Sequence, residues 1–145
     1  MAKKILPFEI DYDFNLMALI APVKAYRLAW MINRTLNITL RKSEDLILHA
    51  PKSKQISYFS IYHFALEMYK VNYYLISNKS DSNVLLIPEL RQVDFFLKFS
   101  NNLTYQQPNQ LIERLKKIQQ IQTIFQVNPK ELKSKQNLIV DEFEF

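Results

Sequence analysis

The 145-residue sequence contains no glycine and no cysteine. At ordinary usage about ten glycines would be present. P-loops, dinucleotide-binding turns and nucleophile elbows all need that residue, because the backbone there takes φ > 0 or runs close against a phosphate. No such device, and so no nucleotide cofactor, is expected. Part of the loss is compositional, since the chain is rich in Lys, Asn, Ile, Phe and Tyr, as AT-rich coding produces. Without cysteine there is no disulfide, thiolate zinc site, iron–sulfur cluster or thiol nucleophile. Long apolar runs are missing too. The longest, 16–23, contains Pro22 and falls far short of the ~20 residues of a membrane helix. Glu9, Asp11 and Asp13 interrupt any secretory apolar region behind Lys3 and Lys4. The expectation is a cytoplasmic protein with no membrane partner. The four N-x-S/T sequons, at Asn33, Asn37, Asn78 and Asn102, read as chance.

What is present suits a packed core: 48% hydrophobic and 13% aromatic residues, with 23% charged. No stretch is long or polar enough for a linker, so one α+β domain over 1–145 is expected, with 136–145 as an extended C-terminal arm. The net charge of +5 and pI near 9.3 suit an acidic partner without requiring one. Where the bases lie therefore matters more than their sum.

Turns must rely on Asn, Asp, Ser and Pro. Residues 14–21 read as a buried strand. Pro22 then opens a helix to Leu36, with Ala25, Leu28, Ala29, Ile32 and Leu36 on one face. Short strands follow at 38–41 and 46–50, an alternating aromatic pair at 56–66 and 68–77, and two more at 84–87 and 93–99. Asn109 caps an amphipathic helix carrying Leu111, Leu115, Ile118, Ile121 and Phe125 at three- and four-residue spacing. Asn128-Pro129-Lys130-Glu131 reads as a further helix start. The fold expected is α+β: an antiparallel sheet of five to seven strands, with an early helix after the first strand and a C-terminal amphipathic helix packed on the sheet.

Three constellations could carry chemistry. Glu89 and Asp94, five positions apart across a turn, could form an acid–base or metal pair in a hydrolase. The plainer reading has Glu89 satisfying turn amides and Asp94 pairing with a base of the first helix, Arg27 or Lys24. Lys24, Arg27 and Arg34 share a helical face with Tyr26 and Trp30 nearby, a pattern that could track phosphates and stack bases or simply be solvated. In 108–135 six bases stand against two acids; Lys117, Lys130, Lys133 and Lys135 are the candidates there for RNA phosphate contacts, against a solubilising role. His49 and His63 have no ligand-spaced partner, and no metal or other cofactor is expected.

Ile87-Pro88-Glu89, three residues, then Val93-Asp94-Phe95 resembles the signature of the bacterial IPExxxVDY family, with Phe95 in place of the tyrosine. The substitution removes a hydroxyl and keeps the packing ring. Tyr26-Arg27-Leu28-Ala29-Trp30 with Asn33, Ile76-Ser77-Asn78-Lys79 and Lys133-Ser134-Lys135-Gln136-Asn137-Leu138 resemble the family too, so the resemblance spans nearly the whole chain. It implies a network of Arg27, Trp30, Asn33, Pro88, Glu89, Asp94 and Phe95, and no assigned activity. The family's gene neighbourhood with ribonuclease III is a hint towards RNA. The function expected is a non-enzymatic interaction module, for a cytosolic protein or a second copy. It is motivated by an aromatic surplus: Tyr58, Phe59, Tyr62, Phe64, Tyr69, Tyr73 and Tyr74 exceed what one sheet face needs inside. RNA is the alternative partner, and an enzyme using Glu89 and Asp94 the third possibility.

Overall fold

The computed structural model describes residues 12–50, 54–100 and 107–139. Its centre is an antiparallel six-stranded sheet in the order β2-β5-β6-β7-β1-β8, formed by β1 (Phe14–Ile20), β2 (Arg41–Lys42), β5 (Ile61–Leu66), β6 (Val71–Ser77), β7 (Phe95–Ser100) and β8 (Thr123–Val127). A separate two-stranded ribbon pairs β3 (Leu46–His49) with β4 (Ile56–Phe59). Helix α1 (Ala25–Leu36) follows β1, and α2 (Pro108–Leu115) precedes β8.

Both faces of the central sheet are covered, because side chains alternate across a strand. On β1, Met17 and Leu19 enter a core with Leu28, Ala29, Ile32 and Leu36 of α1 and Leu111 and Leu115 of α2. Leu16 and Ala18 point the other way, into a core closed by Phe59 of the ribbon, Leu86, Ile87 and Val93 of the β6–β7 connection, and Leu132 and Leu138. The aromatic surplus is consumed here. Phe59, Tyr73 and Tyr74 are buried, while Tyr62 and Phe64 pack against the first core. Of those seven rings only Tyr58 and Tyr69 are exposed.

The expected architecture stands, with local corrections. Pro22 precedes α1 instead of entering it; Lys24 is the N-cap residue. The run 56–66 changes sheets at Ser60, although burial at Ser57, Phe59 and Ile61 keeps a strand's period straight through the break. The segment expected as a strand at 84–87 makes only an isolated bridge, Lys79 with Leu85. The long C-terminal helix ends at Leu115: Ile118 and Ile121 bury from successive turns, and Phe125 lies in β8. Gln107, not Asn109, is its N-cap residue, with Pro108 in the first turn. The second helix is one 3-10 turn, Pro129–Glu131, its Lys130 amide donating to the Asn128 side chain at 3.1 Å. Of the expected arm, Leu138 closes a 3-10 turn and is fully buried; 140–145 lie outside the described residues.

Left-handed backbone falls on Asn37, Lys54, Lys70 and Asn83, with φ of 57°, 56°, 53° and 63°. Asparagine tolerates this region best among side chains bearing a Cβ; lysine has no such local compensation.

Candidate functional site

The Pro88–Leu90 turn and the start of β7 belong to a connection organised by Asn78, which is fully buried. Its Nδ2 donates to the Leu90 carbonyl at 3.0 Å and the Val93 carbonyl at 2.8 Å, and its Oδ1 accepts from the Ile87 amide at 2.8 Å. Its main chain donates to the Asp94 carbonyl at 2.9 Å and accepts from the Leu86 amide at 2.8 Å. One amide side chain thereby shapes the whole loop, and burial bars Asn78 from glycosylation. Asn33 plays a similar part after α1, accepting from the Leu40 amide at 2.7 Å and donating to the Leu40 carbonyl at 3.2 Å.

The two signature carboxylates are held apart. Glu89 accepts from the Ser134 amide at 2.7 Å and the Ser134 hydroxyl at 2.9 Å. Partial burial pushes its carboxyl up, but hydrogen bonds from the Ser134, Glu89 and Lys133 amides and the Ser134 hydroxyl outweigh it. Its pKa therefore lies below the ordinary 4.5. Asp94 accepts from the Ala21 amide at 2.8 Å and from Lys79 Nζ at 2.9 Å. Glu89 lines a cleft of about 300 Å³ with Ile20, Leu90 and Phe125; Asp94 lines another, of about 880 Å³, at the start of α1. The pairing of Asp94 with Arg27 or Lys24 that the sequence suggested is not made: Lys79, two residues past β6, is its cationic partner, and Glu89 is held by Ser134 instead. Among the described residues no His, Asp or Glu cluster could hold a metal ion.

The basic candidates are divided by the sheet. Lys24, the N-cap residue of α1, and Arg27 and Arg34 on the helix are exposed, and Lys117 joins Trp30 and Arg34 around a shallow cleft of about 380 Å³. Lys130, Lys133 and Lys135 flank Leu132 and Leu138 of the opposite core, where Lys135 Nζ lies 5.0 Å from the Tyr12 ring centroid. They do not form one stripe. On α1, Tyr26 is 63% and Trp30 57% exposed, and the Arg34 guanidinium sits 4.7 Å over the indole. Residues 24–36 contain no acid, and Lys24 and Arg27 form no ion pair among the described residues. Phe95 is buried against the first core, a packing role that needs no hydroxyl. His63 stacks on its cross-strand partner Tyr74 at 4.5 Å and bonds Asn72 Oδ1 at 2.8 Å.

The sequence reading missed Lys79 and Ser134 as the partners of the carboxylates, Asn78 as the hub, and the buried Lys98. Lys98 Nζ donates to the Leu138 carbonyl at 3.0 Å and lies 4.6 Å from the Phe14 ring centroid. All but Lys98 lie in stretches quoted for the family resemblance, which was their only sequence signal. No family model, curated protein or solved structure matches the chain. Among the described residues no helix is long and apolar enough to cross a membrane.

Proposed function

We propose that this protein is a non-enzymatic cytoplasmic interaction module that docks an acidic protein surface on the outer face of α1. The observation carrying this reading is the exposed set Tyr26, Arg27, Trp30 and Arg34 on a helix without an acid. Tyr, Trp and Arg are the side chains that dominate binding energy at protein interfaces. Leaving Trp30 in water has no benefit to the fold, since the opposite side of α1 supplies the core. Uncompensated charge would steer an acidic partner to it. We also propose membership of the IPExxxVDY family. Its support is that the resembling stretches meet: Ser134 with Glu89, and Asn78 and Lys79 with Asp94.

Capture from the cells that make this protein tests the reading, with the wild-type chain beside Trp30→Ala and Arg27→Glu. Both changes lie on the exposed face and should leave the circular-dichroism spectrum unaltered. Proteins enriched by the wild type should be lost from both variants, with affinity for an identified partner falling about thirtyfold on Trp30→Ala. An identical set on all three baits would sink the proposal. RNA is the second reading, favoured by an exposed indole beside Arg34 and Lys117. It predicts nucleic acid retained at low salt, with affinity falling steeply as salt rises.

A further inference from the structure

The two edges of the central sheet are built differently. One is β2, two residues long, and its Arg41 and Lys42 are both exposed. A short, charged edge of this kind discourages another strand from pairing with it. The other is β8, five residues long, which pairs with β1 and has no strand on its outer side among the described residues. It carries no charge. Nor does any residue from 118 to 129, in a chain of which 23% is charged.

The main chain of this edge can be followed group by group. The Ile20 carbonyl accepts from the Gln122 amide at 2.8 Å, whereas the Leu19 carbonyl accepts from the Asp94 amide at 2.9 Å. Main-chain groups alternate sides along an antiparallel strand, so Leu16, Ala18 and Ile20 address β8, while Met17 and Leu19 address β7. The partners of the first three, Val127, Phe125 and Thr123, therefore turn their amides and carbonyls inward. Ile124 and Gln126 turn theirs outward, where no main-chain group meets them among the described residues.

Side chains make the same edge apolar. Phe125 lies on the face of its cross-strand partner Ala18 and is 38% exposed. It flanks the cleft of about 300 Å³ with Ile20, Leu90 and Val93. One acid, Glu89, and one base, Arg91, stand on that lining, so no net charge gathers beside the strand.

This edge is complementary to itself. A second β8 turned by half a revolution about Phe125 sets Ile124 opposite Gln126 of the other copy, and Gln126 opposite Ile124. Both are hydrogen-bonded pairs, so four main-chain bonds form and every outward group of Ile124 and Gln126 is used. Phe125 then meets its own equivalent at the axis, in the closer, non-hydrogen-bonded kind of pair, where two aromatic rings support strand pairing. Charge favours the same occupant. Two copies at +5 each repel through most of their surfaces, but not through an uncharged strand, which in turn offers no base to an acidic partner.

We propose that two copies of this chain associate through β8, antiparallel about Phe125, joining their six-stranded sheets into one. The contact uses none of the residues placed on the docking face of α1, so it stands or falls independently of that reading.

Sedimentation of the full chain from micromolar to millimolar concentration tests it, together with amide hydrogen exchange at both ends of the range. A pair of five-residue strands is a small interface, so a dissociation constant on the order of 100 μM is expected. The Ile124 and Gln126 amides should be protected when the protein is concentrated and exchange freely when it is dilute. Phe125→Lys places like charges opposite each other at the axis, and Gln126→Pro deletes an outward N–H that β1 does not use. Each should weaken association about tenfold or more, while Trp30→Ala should leave it unchanged. Because Phe125 is exposed, Phe125→Lys reads out even if the proline variant folds poorly. A chain that stays monomeric throughout, or a dimer indifferent to Phe125→Lys, would overturn the proposal. Protection of Ile124 and Gln126 that does not depend on concentration would also overturn it, since the edge would then be covered within one chain. Association lost in Trp30→Ala and kept in Phe125→Lys would move the contact to α1.

Discussion

A single buried amide carries more of this fold than any charged group. Asn78 saturates one main-chain donor and two carbonyls with its side chain, and each such group costs about 1–3 kcal/mol when left buried and unpaired. Asn78→Ala should therefore cost about 3 kcal/mol or more, a large part of the stability of an ordinary domain. Urea unfolding of the two proteins measures it, and a loss under about 1 kcal/mol would mean that water replaces the amide. Lys70 presents the opposite case. It holds φ 53° between β5 and β6, its amide donating to the Glu67 carbonyl at 3.1 Å. A side chain with a Cβ costs about 1–2 kcal/mol in this region, partly offset by the chain entropy that glycine loses. Lys70→Gly should accordingly raise stability by about 0.5 kcal/mol, read as a higher melting temperature; a lower one would show that Lys70 is held by more than its backbone. Neither residue was legible as such in the sequence. Asn78 stood only within a sequon and a stretch quoted for the family resemblance, with nothing to mark it as a hub, and the absence of glycine hid which residues take left-handed backbone.

At the scale of elements, periodicity served well where an element is long and one-sided. The α1 stripe of Leu28, Ala29, Ile32 and Leu36 was legible because a helix on a sheet needs one. It misled at 111–125, where Ile118, Ile121 and Phe125 continue the helical spacing through two turns into β8. No glycine marks the stop, and burial on the first core is achieved without a helix. The tie between the Pro88–Leu90 turn and Ser134 was invisible for another reason: it joins positions 45 apart through two exposed groups. That tie should have an acid signature. The Glu89 carboxyl is held below its ordinary 4.5 in the folded protein, so its contribution is fully present above 4.5 and is lost as pH falls through the folded pKa. Because the pair is exposed, that contribution is at most about 1 kcal/mol. The stability gap between wild type and Glu89→Gln should stay constant at neutral pH and shrink on acidification below 4.5. A gap that widens there would mean that the carboxylate is destabilising.

The whole molecule is three layers sharing one sheet, and β1 lies at its junction. It pairs with β7 on one side and β8 on the other, and it sends Met17 and Leu19 into one core and Leu16 and Ala18 into the other. The amphipathic pattern of α1 announced the first core. The second was not anticipated, because irregular segments close it: a turn at Pro88–Leu90, a ribbon, and the stretch containing Leu132 and Leu138 carry no period that a sequence reading can count. If strands facing both ways couple the two cores, neither should melt without the other. Leu28→Ala empties the helix side and Leu86→Ala the opposite side, and both residues are fully buried. Each truncation should cost about 2–5 kcal/mol. Both should shift one shared denaturant transition, recorded by near-ultraviolet dichroism and by far-ultraviolet dichroism alike, with the slope unchanged. If Leu86→Ala instead produced an early step that spared the helices, the ribbon side would be a separable cap. The sheet and its two helices would then be the cooperative unit, and the irregular stretches would be bound to it rather than part of it.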